Sequence, residues 1–184
     1  MARTVPVSAT ESPGNYLTGA LWTAQVKATM DYLMGSGTNG VPRFKGYAST
    51  GQSIANGSSS DVAVTLDTED YDSDNGHSTS TNTSRYTIQV PGTYLVMATA
   101  SFPTNATGNR KLGINVNGGN ARGGVFQGPA MASNSWSACV CVEQAFVAGD
   151  YVEMVVWQTS GAALSLNAGG GGFGPTLMCQ WISS

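Results

Sequence analysis

Charge is the scarcest property of this 184-residue chain. Asp, Glu, Lys and Arg make up 10% of it, against roughly 25% in an ordinary soluble domain. Its net charge is −3 and its basic residues form no cluster, so a nucleic-acid backbone has nothing to grip. No stretch approaches the roughly 18 uninterrupted apolar residues of a bilayer-spanning helix. The opening "MARTVPVSATESPGNY" has no apolar core of a secretory signal. The expectation is a soluble chain made in a cytoplasm, with no membrane insertion.

Cysteine and histidine are almost as sparse. Cys139 and Cys141 lie one residue apart in "WSACVCVEQAF", which alternates like a strand. They share a face about 7 Å apart along it, which suits neither a disulfide nor the C-x2-C pairs of a zinc site. With Cys179 they read as buried small hydrophobes. The lone histidine, His77, sits among Asp, Asn, Ser and Thr with no G-x-S-x-G elbow anywhere, so it reads as a solvated loop residue rather than part of a triad. Glu143 and Glu153 fall inside strand patterns and could face one surface as a glycosidase pair. An outward polar position explains them equally. The expectation is a non-enzyme with no catalytic residue and no cofactor.

Abundant instead are Ser, Thr, Asn and 24 Gly, beside 41% hydrophobic residues. That mixture suits short strands joined by turns. The length fits one domain plus an appendage. Residues 1–40 read as a docking segment with a helix over about 16–34 and a Gly/Ser linker, and 41–184 as the head. In "YLTGALWTAQVKATMDYLM", Trp22, Val26, Met30 and Leu33 form one helical stripe, with Leu17 and Leu21 beside it. Thr18 is the expected N-cap and Gly35 the stop. The stripe packs either on its own domain or on copies of itself or a larger assembly.

From Val41 onward the pattern is all β. Strands are expected over 43–49, 61–67, 84–90, 92–102, 110–117, 123–128, 134–147, 150–159, 163–168 and 176–183. No helical pattern separates them, which points to antiparallel sheets rather than βαβ units. In "RYTIQVPGTYLVMATASF", Pro91 closes one strand and Gly92 turns the chain into another of about eleven residues. Strands usually run about 5–6 residues, so this one needs a deep sandwich to cross.

The segment "DTEDYDSDNG" (67–76) gathers five acids and reads as a loop. Asp70, Asp72 and Asp74 imitate the start of an EF-hand, but Asn75 and Thr81 stand where its Gly and Glu belong. That leaves a non-EF calcium site or, by default, a solvated acidic loop. "NAGGGGFGP" lacks the Lys-Ser/Thr and helix of a phosphate loop and reads as a packed loop anchored by Phe173.

"YTIQVPGTYLVMATASF", followed in order by "LGINVNG", "AFVAGDYVEMVV" and "GFGPTLMCQWI", resembles the tumour-necrosis-factor and complement-type globular head superfamily over about residues 43–184. Leu95 stands where that family places an aromatic. The resemblance implies a ten-stranded antiparallel jelly-roll sandwich that forms a homotrimer, with Tyr94, Val96, Tyr151 and Trp157 on its core and trimer strands. "YLTGALWTAQVKATMDYLMG" (about 14–35) resembles the leader of actinobacteriophage virion fibre and minor tail proteins. Together they imply a phage virion structural protein, assembled in the host cytoplasm: a trimeric head fastened to other virion proteins by its helix. The favoured place is the tail tip, touching a host surface glycan or protein. The alternatives are capsid decoration or head fibre, and a carbohydrate-cleaving depolymerase.

Overall fold

Helix formation begins at Thr18, whose side chain accepts a hydrogen bond from the Leu21 amide at 3.1 Å. It ends at Gly35, whose N–H donates to Asp31 O at 2.8 Å before the backbone turns extended. Between them, α1 (Gly19–Trp22) and α2 (Ala28–Met34) are joined by a π-helical turn, Thr23–Lys27. The computed structural model describes residues 5–7, 12, 14, 16, 18–35, 40–169 and 172–184.

The π turn takes more residues than an α turn, so the stripe expected at 3.6-residue spacing does not bury as one seam. Leu21 and Val26 are half-buried, while Trp22, Met30 and Leu33 are exposed. Leu17 lies outside the described residues. The residue that packs on the head is Tyr32, 5% exposed, whose ring meets Trp181 edge-on at 5.5 Å.

Twelve strands follow among the described residues: β1 (Arg43–Tyr47), β2 (Ser53–Ile54), β3 (Val62–Ala63), β4 (Thr68–Asp72), β5 (Arg85–Thr87), β6 (Gly92–Phe102), β7 (Asn109–Val116), β8 (Gly119–Pro129), β9 (Trp136–Phe146), β10 (Tyr151–Gln158), β11 (Leu164–Ser165) and β12 (Thr176–Ser183). One sheet has the order β4-β1-β12-β6-β9. The other runs β3-β10-β7-β8, with β5 also pairing β10, and β2 and β11 form a small ribbon. All named pairings are antiparallel. The core lies between the two sheets, with Phe44, Tyr94, Val96, Phe102, Leu112, Ile114, Met154 and Leu177 fully buried in it.

The Pro-Gly corner has a mechanical explanation. Gly92 sits at φ +147, and a Cβ there would fall 2.3 Å from Trp181 Nε1 and 2.4 Å from Ser183 O. The Tyr94 hydroxyl reaches back across the corner to donate to Val90 O at 2.8 Å. Trp181 Nε1 donates to Pro91 O at 3.2 Å. The eleven residues of β6 then pair along their whole length with β9, from Gly92↔Phe146 to Phe102↔Trp136.

The described residues hold twelve strands against the ten expected, β2 and β4 being additional. The strands expected over 84–90 and 163–168 shorten to β5 and β11, and that over 123–128 lengthens to β8. The strand expected over 61–67 shrinks to β3, because its later backbone groups find other partners. Thr65 N–H donates to the Gln52 side chain and Leu66 N–H to Thr83 O. The acidic segment read as a loop contains an edge strand, β4, paired with β1 through a bulge at Lys45/Gly46. The period-2 signal was hidden there because both alternating sets are polar.

Candidate functional site

The outward face of the five-stranded sheet is the surface the core does not use. Opposite the buried row Phe44, Cys179, Val96 and Val142, register aligns three outward rows. Lys45, Met178, Met97 and Cys141 form one; Arg43, Gln180, Leu95 and Glu143 the next; Tyr47, Thr176, Thr99 and Cys139 the third. Leu95, Met97 and Met178 are half-buried, and Cys139 and Cys141 are exposed. The middle of the face is therefore apolar and sulfur-rich, and its charges stand at the margins.

Those margins are organised. Lys45 Nζ lies 2.6 Å from Asp70 Oδ2, and this hydrogen bond, with the Asp70 charge, raises the lysine pKa above its ordinary value. Arg43 lies over the Tyr71 ring at 5.0 Å. At one end of the face a cleft of about 310 Å³ is lined by Thr99, Ser137, Ala138, Cys139 and Phe173. Phe173 is 65% exposed, so it rims this cleft rather than anchoring the glycine loop.

The sequence-derived residues separate into distinct places. Tyr94 and Val96 point between the sheets and are fully buried; they hold the protomer together and offer a neighbouring copy nothing. Tyr151 and Trp157 are half-buried on the second sheet, with Arg85 over the Tyr151 ring at 4.1 Å and Trp157 Nε1 donating to Ser58 O at 2.9 Å. Glu143 stands on β9 and Glu153 on β10, strands of different sheets. Glu153 pairs with Arg85 at 3.0 Å. The two glutamates face no common cleft.

The acidic segment spends its carboxylates on its own chain. Asp67 accepts from Ser49 N–H at 2.7 Å and from three hydroxyls, of Ser49, Thr50 and Thr68. Burial pushes its pKa up, but these hydrogen bonds outweigh it and leave the group below its usual value. Asp70 takes Lys45, Asp72 the amides of Asp74 and His77, and Asp74 the Tyr86 hydroxyl at 2.9 Å. Asp70, Asp72 and Asp74 thus go to three sets of partners. Among the described residues no three His, Cys, Asp or Glu side chains gather as a metal site.

His77 is not solvated. Its side chain is fully buried, with Nδ1 2.6 Å from Glu69 Oε1, Nε2 3.0 Å from Thr83 O, and its ring 5.0 Å from that of Phe44. The isolated bridge His77↔Tyr86 ties it to β5. The sequence held no apolar signal there, because the ring is covered by residues from three separate segments. Of the cysteines, Cys179 is buried and its pKa is pushed up by that burial. Cys139 and Cys141, expected inside, are on the outward face. Sequence reasoning also missed Arg110, fully buried against the Phe102 ring at 5.6 Å, its pKa lowered by desolvation.

A second unpartnered surface is the helix. Trp22 and Met30 are half exposed, Leu33 and Met34 more so, on an element held to the head through Tyr32.

Two facing antiparallel sheets in these strand orders form a jelly-roll sandwich, a fold similar to that of tumour-necrosis-factor and complement-type heads. Among solved structures, the globular domain of zebrafish complement 1qA protein matches with a TM-score of 0.57 at 15% identity, over 77% of this chain and 97% of that one. The vertex protein P5 of PRD1 matches at 0.56 and 17%, over 81% and 100%. Murine APRIL matches at 0.54 and 12%, over 77% and 99%. No family model matches the chain, and no curated protein matches it in sequence.

Proposed function

We propose that this protein is a structural component of a phage particle, a homotrimeric jelly-roll head fastened by its N-terminal helix. The carrying observation is the outward face of the five-stranded sheet. Leu95, Met97, Met178, Cys139 and Cys141 form an apolar strip with charge only at its edges, and no element among the described residues lies across it. An antiparallel sheet normally leaves one face polar. A face apolar at its centre and charged at its rim has the layout of a subunit contact, and closed symmetry is the usual outcome for identical chains. The likeness to a vertex protein supports a place on a virion. The sequence of the leader favours the tail tip, with the head's loops facing a host surface glycan or protein. Capsid decoration is the second reading, supported by the same vertex-protein likeness.

Deleting residues 1–40 tests the arrangement. The expected product is a folded trimer that no longer enters particles. A deletion product that cannot fold would make the helix part of the head's core and overturn the docking role. Host-cell binding by the purified trimer, in competition with infecting phage, supports the tail tip. Particles that turn fragile without the protein, while the trimer binds no cells, support capsid decoration.

A further inference from the structure

A cleft of about 270 Å³ opens on the flank of the second sheet, where β5, the start of β10 and segment 75–82 meet. It lies on the other sheet from the strip assigned to subunit contact, so a trimer built on that strip leaves it open. Its wall carries Arg85 and no Asp or Glu, in a protein whose net charge is negative.

Arg85 is held in place from two sides. Its Nε donates to Glu153 Oε1 at 3.0 Å, and the Ser84 hydroxyl donates to the same oxygen at 2.7 Å. The guanidinium carbon sits 4.1 Å over the Tyr151 ring. Those contacts use one edge of the fork. Among the described residues the terminal nitrogens Nη1 and Nη2 have no hydrogen-bond partner, and the side chain is 40% exposed. A planar fork with two free donors is matched by a carboxylate.

Asn75, Thr81, Asn82 and Gln89 supply neutral polar groups to the same wall. Asn75 and Asn82 sit at φ 56 and 51, in the left-handed region that Asn tolerates better than most residues. Among the described residues the side chains of Asn75, Thr81 and Asn82 have no hydrogen-bond partner, whereas Gln89 spends its amide on Thr87 O at 3.3 Å. A fixed guanidinium beside unspent amides and a hydroxyl has the composition of a site for a small, hydroxyl-rich acid.

We propose that this cleft binds a monosaccharide unit bearing a carboxylate, with the acid on Arg85 and the hydroxyls on Asn75, Thr81 and Asn82. The proposal rests on the host-contact reading and names its chemistry.

The test is a titration of the full-length protein with methyl glucuronide and, in parallel, methyl glucoside, followed by amide NMR. Expected are shifts confined to residues 75–89 and 151, and binding of the acid about tenfold tighter than of the neutral sugar. Arg85→Gln should abolish that preference. Because it also strips Glu153 of its partner, Thr81→Ala serves as the second variant. Thr81 is exposed and lies outside the left-handed region, so the change should weaken binding a few-fold with an unchanged melting temperature. Equal binding of both sugars, shifts mapping elsewhere, or no shift up to roughly 50 mM, an affinity too weak to matter, would each overturn the site. A protein that binds host cells without these shifts overturns the cleft and leaves the host-contact reading standing. Shifts in the cleft without cell binding support the cleft and count against host contact.

Discussion

Tyr32 of the helix and Trp181 of the last strand meet ring edge to ring face at 5.5 Å, 87° apart, and this pair couples the N-terminal helix to the head. Such a pair contributes about 0.5–1.5 kcal/mol beyond the area it buries. Tyr32→Ala should therefore free the helix while the sandwich stays intact. Hydrogen exchange should accelerate across 19–34 and stay unchanged in β6 and β9. Global unfolding of the variant would show that the helix belongs to the core.

Subunit association is expected to depend on the outward strip. The protein should sediment at about three times its 18.9 kDa chain mass. Leu95→Lys places a charge in the centre of the strip, on a side chain that the protomer leaves half-buried. The variant should keep its circular dichroism and sediment as a monomer. A wild-type monomer at micromolar concentration would remove the trimer altogether.

The three thiols should report the same contact chemically. In unassembled native protein a thiol reagent should modify Cys139 and Cys141 and spare Cys179, which is fully buried. Burial raises the Cys179 pKa and so disfavours its reactive thiolate. Association should slow the first two and leave the third as it was. Unchanged rates on dilution through the dissociation range would place the contact elsewhere.

Stability should fall in acid, in part through Asp150. Its carboxylate accepts from the Asn117 amide at 2.8 Å and from Val147 N–H at 2.9 Å. These bonds, the Asn117 one foremost, lower its pKa below the ordinary 3.8. A carboxyl with a depressed folded pKa adds stability that is full above its unfolded value and drains away as pH falls through the folded one. Asp67 has the same sign. The urea midpoint should drop below about pH 4, and Asp150→Asn should flatten that drop while lowering the midpoint at pH 7. An equally steep drop in the variant would assign the acid sensitivity to other groups.

The long strand β6 was legible to the residue, because Pro91-Gly92 marks its start and its alternation runs unbroken to Phe102. β12 was likewise read at both ends from its own alternation. The helix boundaries were legible from Thr18 and Gly35, but its buried residue was not. A π turn carries no compositional mark in "TAQVK", so a stripe drawn at 3.6 residues per turn selected Trp22, Met30 and Leu33 and passed over Tyr32. β4 escaped because its partner is β1, more than twenty residues earlier, and its side chains are polar on both faces. Arg110 and His77 escaped for one shared reason: a polar side chain carries no apolar signal of its own burial, although Arg110 lies against the Phe102 ring and His77 against that of Phe44.

The position of β1 has a consequence for a tethered head. The strand begins at Arg43, soon after the helix ends, and runs between β4 and β12, antiparallel to both. Tension led in through the helix reaches the head at the N-terminal end of β1. The part of it directed along that strand loads the hydrogen bonds on both flanks in shear, all together, instead of peeling them one by one from an edge. A head hung from its helix would yield to pulling only when the whole strand slides, and it would hold firm until then.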